Sequence, residues 1–319
     1  MQTQLRAGLT ALNVGLLVAL ATLWLPISSA SVQLPEPPPS APAGPLPWTP
    51  PAWHPNVDGL LHVLEQLDGA DAHEKGPRIR ARAAIVADID RGEVLWSRNA
   101  DTLRTVASLT KMVSSLTLAS HPHDLDGTLC VSPEQWPSRA GARSRFETGV
   151  CHTGWEFLGA ALVASDNRGA MALPALADVE YGQFVDDMHR VSRELRLEHS
   201  TWADPAGLDD ANMASARDML KAVVAVAAHP ELSVAASARD WRIERKYGPQ
   251  VLGTTNRLVD SYETLAAKTG YTDTARYTFA TVVRTREGRH LAVAVLGAPT
   301  GGARFSDTRA LIRWASEKS

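Results

Sequence analysis

"RTVASLTKMVSSL" (residues 104–116) sets one serine and one lysine on the same side of a segment with helical spacing. Ser108 and Lys111 are three residues apart, and side chains at that spacing meet one turn along a helix. Lysine is scarce in this chain: of its 32 Lys and Arg, only Lys75, Lys111, Lys221, Lys246, Lys268 and Lys318 are lysine. Two readings are open at this point. Either Ser108 caps a solvated first turn with Lys111 in water, or Ser108 is a nucleophile and Lys111 its proton acceptor.

The flanks say what kind of fold holds this pair. Upstream, "RIRARAAIVADIDRGEVLWSRNAD" (78–101) reads as two strands joined at Asp90-Arg91-Gly92, a hairpin turn signal. Downstream, "TLCVSPEQW" is strand-like and a Gly- and Arg-containing loop leads to Cys151. "TGWEFLGAALVAS" (153–165) is apolar enough for a buried helix. "YGQFVDDMHRVSRELRL" puts Phe184, Met188, Val191 and Leu195 on one helical stripe, and "SARDMLKAVVAVAAH" is a helix with Ser215 as N-cap. The texture then changes to strands, "YETLAAKTGYT" and "RYTFATVVRTREGRHLAVAVLGA", with a turn at Arg286-Glu287-Gly288 and a last helix "DTRALIRWASEK". Strands at both ends of the domain with helices between them predict an α+β fold. One antiparallel sheet is built from the two ends, a helical lobe is inserted, and a cleft lies where the two meet.

Two further tripeptides stand near that cleft. Ser165-Asp166-Asn167 follows the buried helix, and Lys268-Thr269-Gly270 lies at the end of a predicted strand. Each has a dull reading, a helix-junction cap and a strand running into a turn. With ordinary residue usage, either would arise by chance in a chain of this length about one time in ten or less. Both together, in this order after Ser-x-x-Lys, are a specific signal. The set resembles the penicillin-binding serine peptidase and β-lactamase superfamily, whose sites are built from Ser-x-x-Lys, Ser-Asp-Asn and Lys-Thr-Gly. The likeness runs from about Ile79 to the end of the chain and is closest to the small D-alanyl-D-alanine carboxypeptidases and endopeptidases. "GEVLWSRNAD", "DPAGLDDANMASARDM", "TTNRL" and "KTGYTDTARY" look like theirs too.

The resemblance implies a β-lactamase/transpeptidase-like fold and assigns roles to residues. Ser108 attacks a D-Ala carbonyl and becomes acylated. Lys111 is the base, which requires a neutral amine and therefore burial or positive neighbours. Lys268 supplies such a field and attracts an anionic substrate. Ser165 relays a proton to the leaving amine, and Asn167 hydrogen-bonds Lys111 and the substrate amide. The strand carrying Lys268, Thr269 and Gly270 pairs with the extended peptide, and the N–H groups of Ser108 and Tyr271 hold the oxyanion. Arg304, placed just ahead of the last helix, matches an Arg near the substrate's terminal carboxylate; a surface Arg is the alternative. The implied ligands are peptidoglycan peptides, with β-lactam antibiotics as covalent inhibitors. The chemistry requires neither metal nor organic cofactor.

Two departures matter. These peptidases commonly carry Gly where this chain has Arg276, which puts peptide preference in doubt. The chain also stops soon after its last helix, without the extra C-terminal β-domain and amphipathic anchor of some carboxypeptidases, and so resembles the soluble endopeptidases that cut crosslinks. Two rivals remain. A class A β-lactamase needs a carboxylate to activate the deacylating water, and Glu198 lies in the right region but is followed by "HSTW" with no matching Asn. A catalytically silent wall-binding protein would keep the fold, although all three motifs are intact.

The remaining features concern address. The chain has 319 residues, 45% hydrophobic and 21% charged, with net charge −3, which excludes wholesale disorder and gives no basic excess for nucleic acid. Residues 1–30 hold Arg6, an apolar run from Leu9 to Leu25, and small residues Ser28 and Ala30. They read as a secretory signal or as an uncleaved anchor through 9–25, so the protein is exported to the periplasm or cell envelope. Residues 31–77 read as a Pro-rich spacer with a short helix at 57–67, and 78–319 as the peptidase domain. Cys130 and Cys151 in an oxidising compartment suggest a disulfide closing a loop worth roughly 3 kcal/mol, with two buried thiols, or a metal pair with His152, as the alternatives.

Overall fold

The Asp90-Arg91-Gly92 signal turns β1 (Ala83–Asp88) into β2 (Glu93–Arg98), an antiparallel hairpin whose first strand is buried on both faces. This is a computed structural model, and it describes residues 57–73, 75–131 and 144–318. The expected signal or anchor, the Pro-rich stretch to residue 56 and most of the Gly- and Arg-containing loop lie outside the described residues.

The chain begins here with helix α1 (Val57–Gln66), then runs through the hairpin to β3 (Arg104–Thr105) and α2 (Thr110–Ala119). Next come β4 (Thr128–Cys130) and β5 (Cys151–Thr153), then the helical lobe. The lobe consists of α3 (Gly154–Val163), α4 (Asn167–Met171), α5 (Leu173–Leu176) and α6 (Tyr181–Glu194), followed by β6 (Ser200–Thr201), β7 (Met213–Ala214), α7 (Ala216–Ala228) and α8 (Pro230–Ser237). A hairpin the sequence reading did not foresee, β8 (Asp240–Ile243) and β9 (Gln250–Gly253), precedes β10 (Glu263–Thr272), β11 (Arg276–Arg284), β12 (His290–Ala298) and the last helix α9 (Gly301–Ser316).

The main sheet has the order β10-β11-β12-β1-β2, with its described pairings antiparallel, so the two ends of the domain do build one sheet. Period-2 alternation explains how it is covered. Ala84, Val86, Val293 and Val295 pack with Ala303, Leu311, Ile312 and Ala315 of α9, while Ala83, Ile85, Ala292 and Ala294 face the core shared with α2, α3 and α7. α7 is buried nearly all round, with Asp218 and Lys221 among its buried side chains, and Ser215 caps it by accepting from the Asp218 N–H.

Three details correct the sequence reading. The helix assigned to the linker packs inward, with Leu64 and Leu67 fully buried in the main core, so the globular body starts ahead of Arg78. The last helix starts at Gly301, with the Thr300 hydroxyl accepting from Ala303 N–H, which puts Arg304 inside its first turn instead of ahead of it. Lys268 is in the middle of β10, which begins at Glu263. Cys130 and Cys151 are paired across β4 and β5 and joined as a disulfide, so neither is a metal ligand, and His152 turns instead to Glu156 at 3.4 Å.

Candidate active site

The nucleophile candidate does not sit on the helix itself. Ser108 lies in a single 3-10 turn, Ala107–Leu109, that runs into α2. The three-residue offset still brings Lys111 Nζ to 3.0 Å from Ser108 Oγ. Ala107 just before it has φ 52°, and Ser165 on the facing junction has φ 59°. Non-glycine residues in that region cost of order 1–3 kcal/mol each, and such strain persists only where surrounding contacts impose it.

Those contacts are visible. Val106 N–H donates to the Asn212 carbonyl at 3.2 Å, and the Thr278 hydroxyl donates to the Val106 carbonyl at 3.1 Å. Glycine is required on both sides of the turn. A Cβ on Gly207 (φ 75°) would lie 2.1 Å from the Ala107 oxygen, and one on Gly270 would lie 2.9 Å from the Val106 oxygen and 3.0 Å from the Ser108 nitrogen. β10 therefore runs directly beside the Ser108 backbone, and among the described residues it is the outer strand of the sheet.

Lys111 is fully buried and donates three hydrogen bonds: to Ser108 Oγ at 3.0 Å, Asn167 Oδ1 at 2.9 Å and the Ala206 carbonyl at 2.6 Å. Burial pulls its pKa down to about 8, against the opposing pull of Asp204 and Asp166. Lys268, 1% exposed, donates to Ser165 Oγ and to the Thr269 carbonyl, both at 2.9 Å. Burial first, then repulsion from Lys111 and Arg304, holds it well below the ordinary lysine range. Each of the two hydroxyls, Ser108 and Ser165, is thus held by its own lysine.

The Ser165-Asp166-Asn167 motif divides its labour. α3 ends at Val163, Ser165 turns the chain, and the Asp166 carboxylate caps α4 by accepting from the Arg168 and Gly169 N–H groups. Asp166 also accepts from Ser144 Oγ and Arg145 N, each at 2.8 Å, so it is a scaffold residue, whereas Asn167 faces Lys111. Thr269 Oγ1 hydrogen-bonds Thr255 Oγ1 at 2.7 Å, and Thr255 N–H donates to the Val163 carbonyl at 3.0 Å. That link ties the Lys-Thr-Gly strand to the end of α3. Thr255, in "TTNRL", carries no sign of this role in the sequence.

The site also contains a loop whose role was not foreseen. Asp204, in "DPAGLDDAN", gathers the N–H groups of Ala206 through Asp209 around its carboxylate and so presents the Ala206 carbonyl to Lys111. The sequence signal was an Asp followed by a turn-forming Pro and Gly.

Arg304 reaches the same neighbourhood from α9. Its Nη1 donates to the carbonyls of Gly270 at 2.9 Å and Thr278 at 3.2 Å, and the guanidinium lies 4.9 Å from the Phe305 ring centroid. Burial, then the nearby Arg257, lowers its pKa to about 10. Its bonds brace β10 and β11 at the motif. Tyr271 is 45% exposed, stacks on Tyr277 with centroids 4.4 Å apart and donates to Asp273 Oδ1 at 2.7 Å. Arg276 has φ 60°, the conformation glycine adopts most readily, and its Nη2 donates to the Pro299 carbonyl at 3.2 Å. Glu198 is exposed and lines a separate hollow with His189, Arg193 and Arg196.

Comparison with known proteins fits this geometry. A family model described as D-alanyl-D-alanine carboxypeptidase matches residues 70–300. A D-alanyl-D-alanine endopeptidase of Pseudomonas aeruginosa is 27% identical over 303 residues, covering 93% of this chain and 87% of that protein. A D-alanyl-D-alanine endopeptidase of Escherichia coli is 26% identical, covering 75% of this chain and 78% of that one. Among solved structures, a D-alanyl-D-alanine carboxypeptidase of Mycobacterium tuberculosis superposes with TM-score 0.71 at 23% identity, covering 78% of this chain and 96% of that one. Penicillin-binding protein D2 of Listeria monocytogenes, solved with cefotaxime bound, gives 0.67 at 24% identity, over 76% of this chain and 100% of that one. The β-lactamase/transpeptidase-like fold expected from the three motifs is the fold found.

Proposed function

The chain belongs to the D-alanyl-D-alanine carboxypeptidase family, and from that premise we propose that it is a serine peptidase acting on D-Ala bonds of peptidoglycan stem peptides through an acyl-enzyme on Ser108. The observation that carries this is the buried Lys111 amine 3.0 Å from Ser108 Oγ, with Lys268 and Ser165 opposite at 2.9 Å.

The neutral Lys111 amine takes the Ser108 proton as Oγ bonds to the D-Ala carbonyl carbon. The N–H groups of Ser108 and Tyr271 stabilise the oxyanion, a role supported by the close run of β10 past Ser108. As the amide C–N bond breaks, the proton taken up by Lys111 returns by way of the Ser165 hydroxyl to the leaving amine, with Lys268 holding that hydroxyl in place and Lys111 neutral again. Asn167 keeps Lys111 aligned and meets the substrate amide. Thr269 and Gly270 form the edge that pairs with the peptide, and a substrate carboxylate falls within the field of Lys268 and Arg304. Water then hydrolyses the ester.

We read the substrate as crosslinks, since the Pseudomonas aeruginosa endopeptidase matches over 93% of this chain and a Bacillus subtilis carboxypeptidase over 80%. Among the described residues, the carboxylates acting on Lys111, Asp166 and Asp204, are both taken up by backbone N–H groups. Neither is placed to activate water, which supports a slowly deacylating penicillin target over a β-lactamase. Such a protein works in the cell envelope, and residues 9–25 would hold it to the membrane if the leader is retained.

Incubation with purified crosslinked muropeptide dimers and, separately, with pentapeptide monomers tests this by mass spectrometry. Dimers converted to monomers, with monomers losing D-Ala more slowly, is the expected result. Loss of D-Ala from monomers with dimers untouched would make it a carboxypeptidase, and no turnover of either would overturn the enzymatic reading.

A further inference from the structure

Lys111 is held by a loop that lies outside the three motifs. We propose that Asp204 is a positioning residue for Lys111: it folds the loop that presents the Ala206 carbonyl to the amine and, with Asp166, supplies the negative charge against which Lys111 must give up its proton. The proposal rests on Lys111 serving as the base for Ser108.

The geometry is a cage. Asp204 is 5% exposed. Its Oδ1 accepts from Ala206 N at 2.6 Å and Gly207 N at 2.7 Å, and its Oδ2 accepts from Leu208 N at 3.0 Å, Asp209 N at 2.7 Å and Asn212 Nδ2 at 2.8 Å. The loop so formed touches α2 at two points and the residue ahead of the catalytic turn at a third. Ala206 O receives Lys111 at 2.6 Å, Pro205 O receives Ser114 Oγ at 2.6 Å, and Asn212 O receives Val106 N at 3.2 Å. A surface turn would not need a buried carboxylate to close it, because water would satisfy the same N–H groups.

The charges around Lys111 leave few other candidates. α2 carries no other ionisable residue. Asp166 faces it from the start of α4, with Arg145 Nη1 3.7 Å behind that carboxylate, and Lys268 faces it from β10 with Arg304 beyond. Charged residues on other helices packed against α2 are engaged elsewhere: Glu156 of α3 with His152, Asp187 of α6 with Arg190, and Lys221 of α7 with Asp68. The downward pull of burial on Lys111 is opposed first by Asp204 and second by Asp166.

The test is the pH profile of the second-order rate constant for acylation by nitrocefin, measured on the full chain. Asp204→Asn moves the acid limb down by about one pH unit, as expected for removing one nearby opposite charge. The swap Asp204→Asn with Asn212→Asp returns a carboxylate to the same hydrogen-bonded pair and moves the limb back. A merely structural role predicts a lower plateau with the limb unmoved, and that result overturns the proposal. Should Asp204→Asn not fold, Asp166→Asn takes its place, because Asn caps a helix as well as Asp does; an unmoved limb there overturns the proposal equally. Absence of any acylation in the unmodified protein would instead sink the functional reading on which this one rests.

Discussion

The two lysines of the site are equally buried and differently surrounded. Lys111, on the helical side, donates to Ser108, Asn167 and the Ala206 carbonyl within the field of two carboxylates. Lys268, on the sheet side, donates to Ser165 and to the Thr269 carbonyl, and the charges acting on it are cationic. Burial lowers both, but the neighbours push in opposite directions. Lys268 is held well below the ordinary lysine range by burial and cationic neighbours, and a carboxylate bound beside it would favour its charged form, which in turn repels a proton from Lys111. The difference agrees with the proposed mechanism, in which the sheet side receives the substrate's anion and the helical side the serine proton.

Removing the helical lysine breaks the comparison most severely. Lys111→Ala leaves Ser108 without a base, and acylation by benzylpenicillin falls by about 10³–10⁴-fold, read by stopped-flow competition with nitrocefin. Circular dichroism checks that the fold is kept.

The second expectation sharpens the comparison through pH. The acylation rate needs neutral Lys111, so it rises with pH through about 8 in the free enzyme, the value set by burial and offset by Asp204 and Asp166. The second-order constant reports the free enzyme, and the rate at saturation reports the complex. With an anionic β-lactam bound beside Lys268, the acid limb at saturation lies below the limb of the second-order constant. A limb at the same or higher pH would mean the two lysines do not exchange charge through the ligand.

A smaller effect is expected where the two sides are tied together. Thr255→Val keeps the volume but removes the Thr269–Thr255 hydrogen bond at 2.7 Å. Stability falls by about 1 kcal/mol, and acylation drops by about tenfold as the Lys268–Ser165 spacing loosens. Unfolding midpoints and acylation rates on the same samples separate the two effects. Smallest of all is Arg276→Gly, at the turn beyond the sheet-side motif. Relief of its left-handed backbone (φ 60°) raises stability by less than about 1 kcal/mol after the entropy cost of glycine, measured by urea denaturation.

The sheet side was the more legible in sequence, for a physical reason. The strands at both ends announce themselves by period-2 patterning and by the turns at Asp90-Arg91-Gly92 and Arg286-Glu287-Gly288, and β1-β2 and β11-β12 form where the pattern puts them. Ser108, Lys111, Ser165, Asn167 and Lys268 come together as the motifs suggested. What stayed hidden depends on backbone groups and long-range packing. The Ala206 carbonyl has no side-chain signature, and Asp204 reads as a turn residue until its neighbours in space are known. The left-handed Ala107 is imposed by the facing Gly207 loop, which local propensity cannot report. Helix α1 follows a long Pro-rich stretch and reads as part of the linker, although Leu64 and Leu67 complete the core from outside the motif region.

The most direct test of the central claim is the intact mass of the protein after brief exposure to benzylpenicillin, followed over hours beside Ser108→Ala. The account predicts one covalent penicilloyl addition that persists in the unmodified protein and is absent from the variant. Penicillin consumed without a lasting adduct would make the protein a β-lactamase, and penicillin left intact with no adduct would remove Ser108 and Lys111 from the role of nucleophile and base.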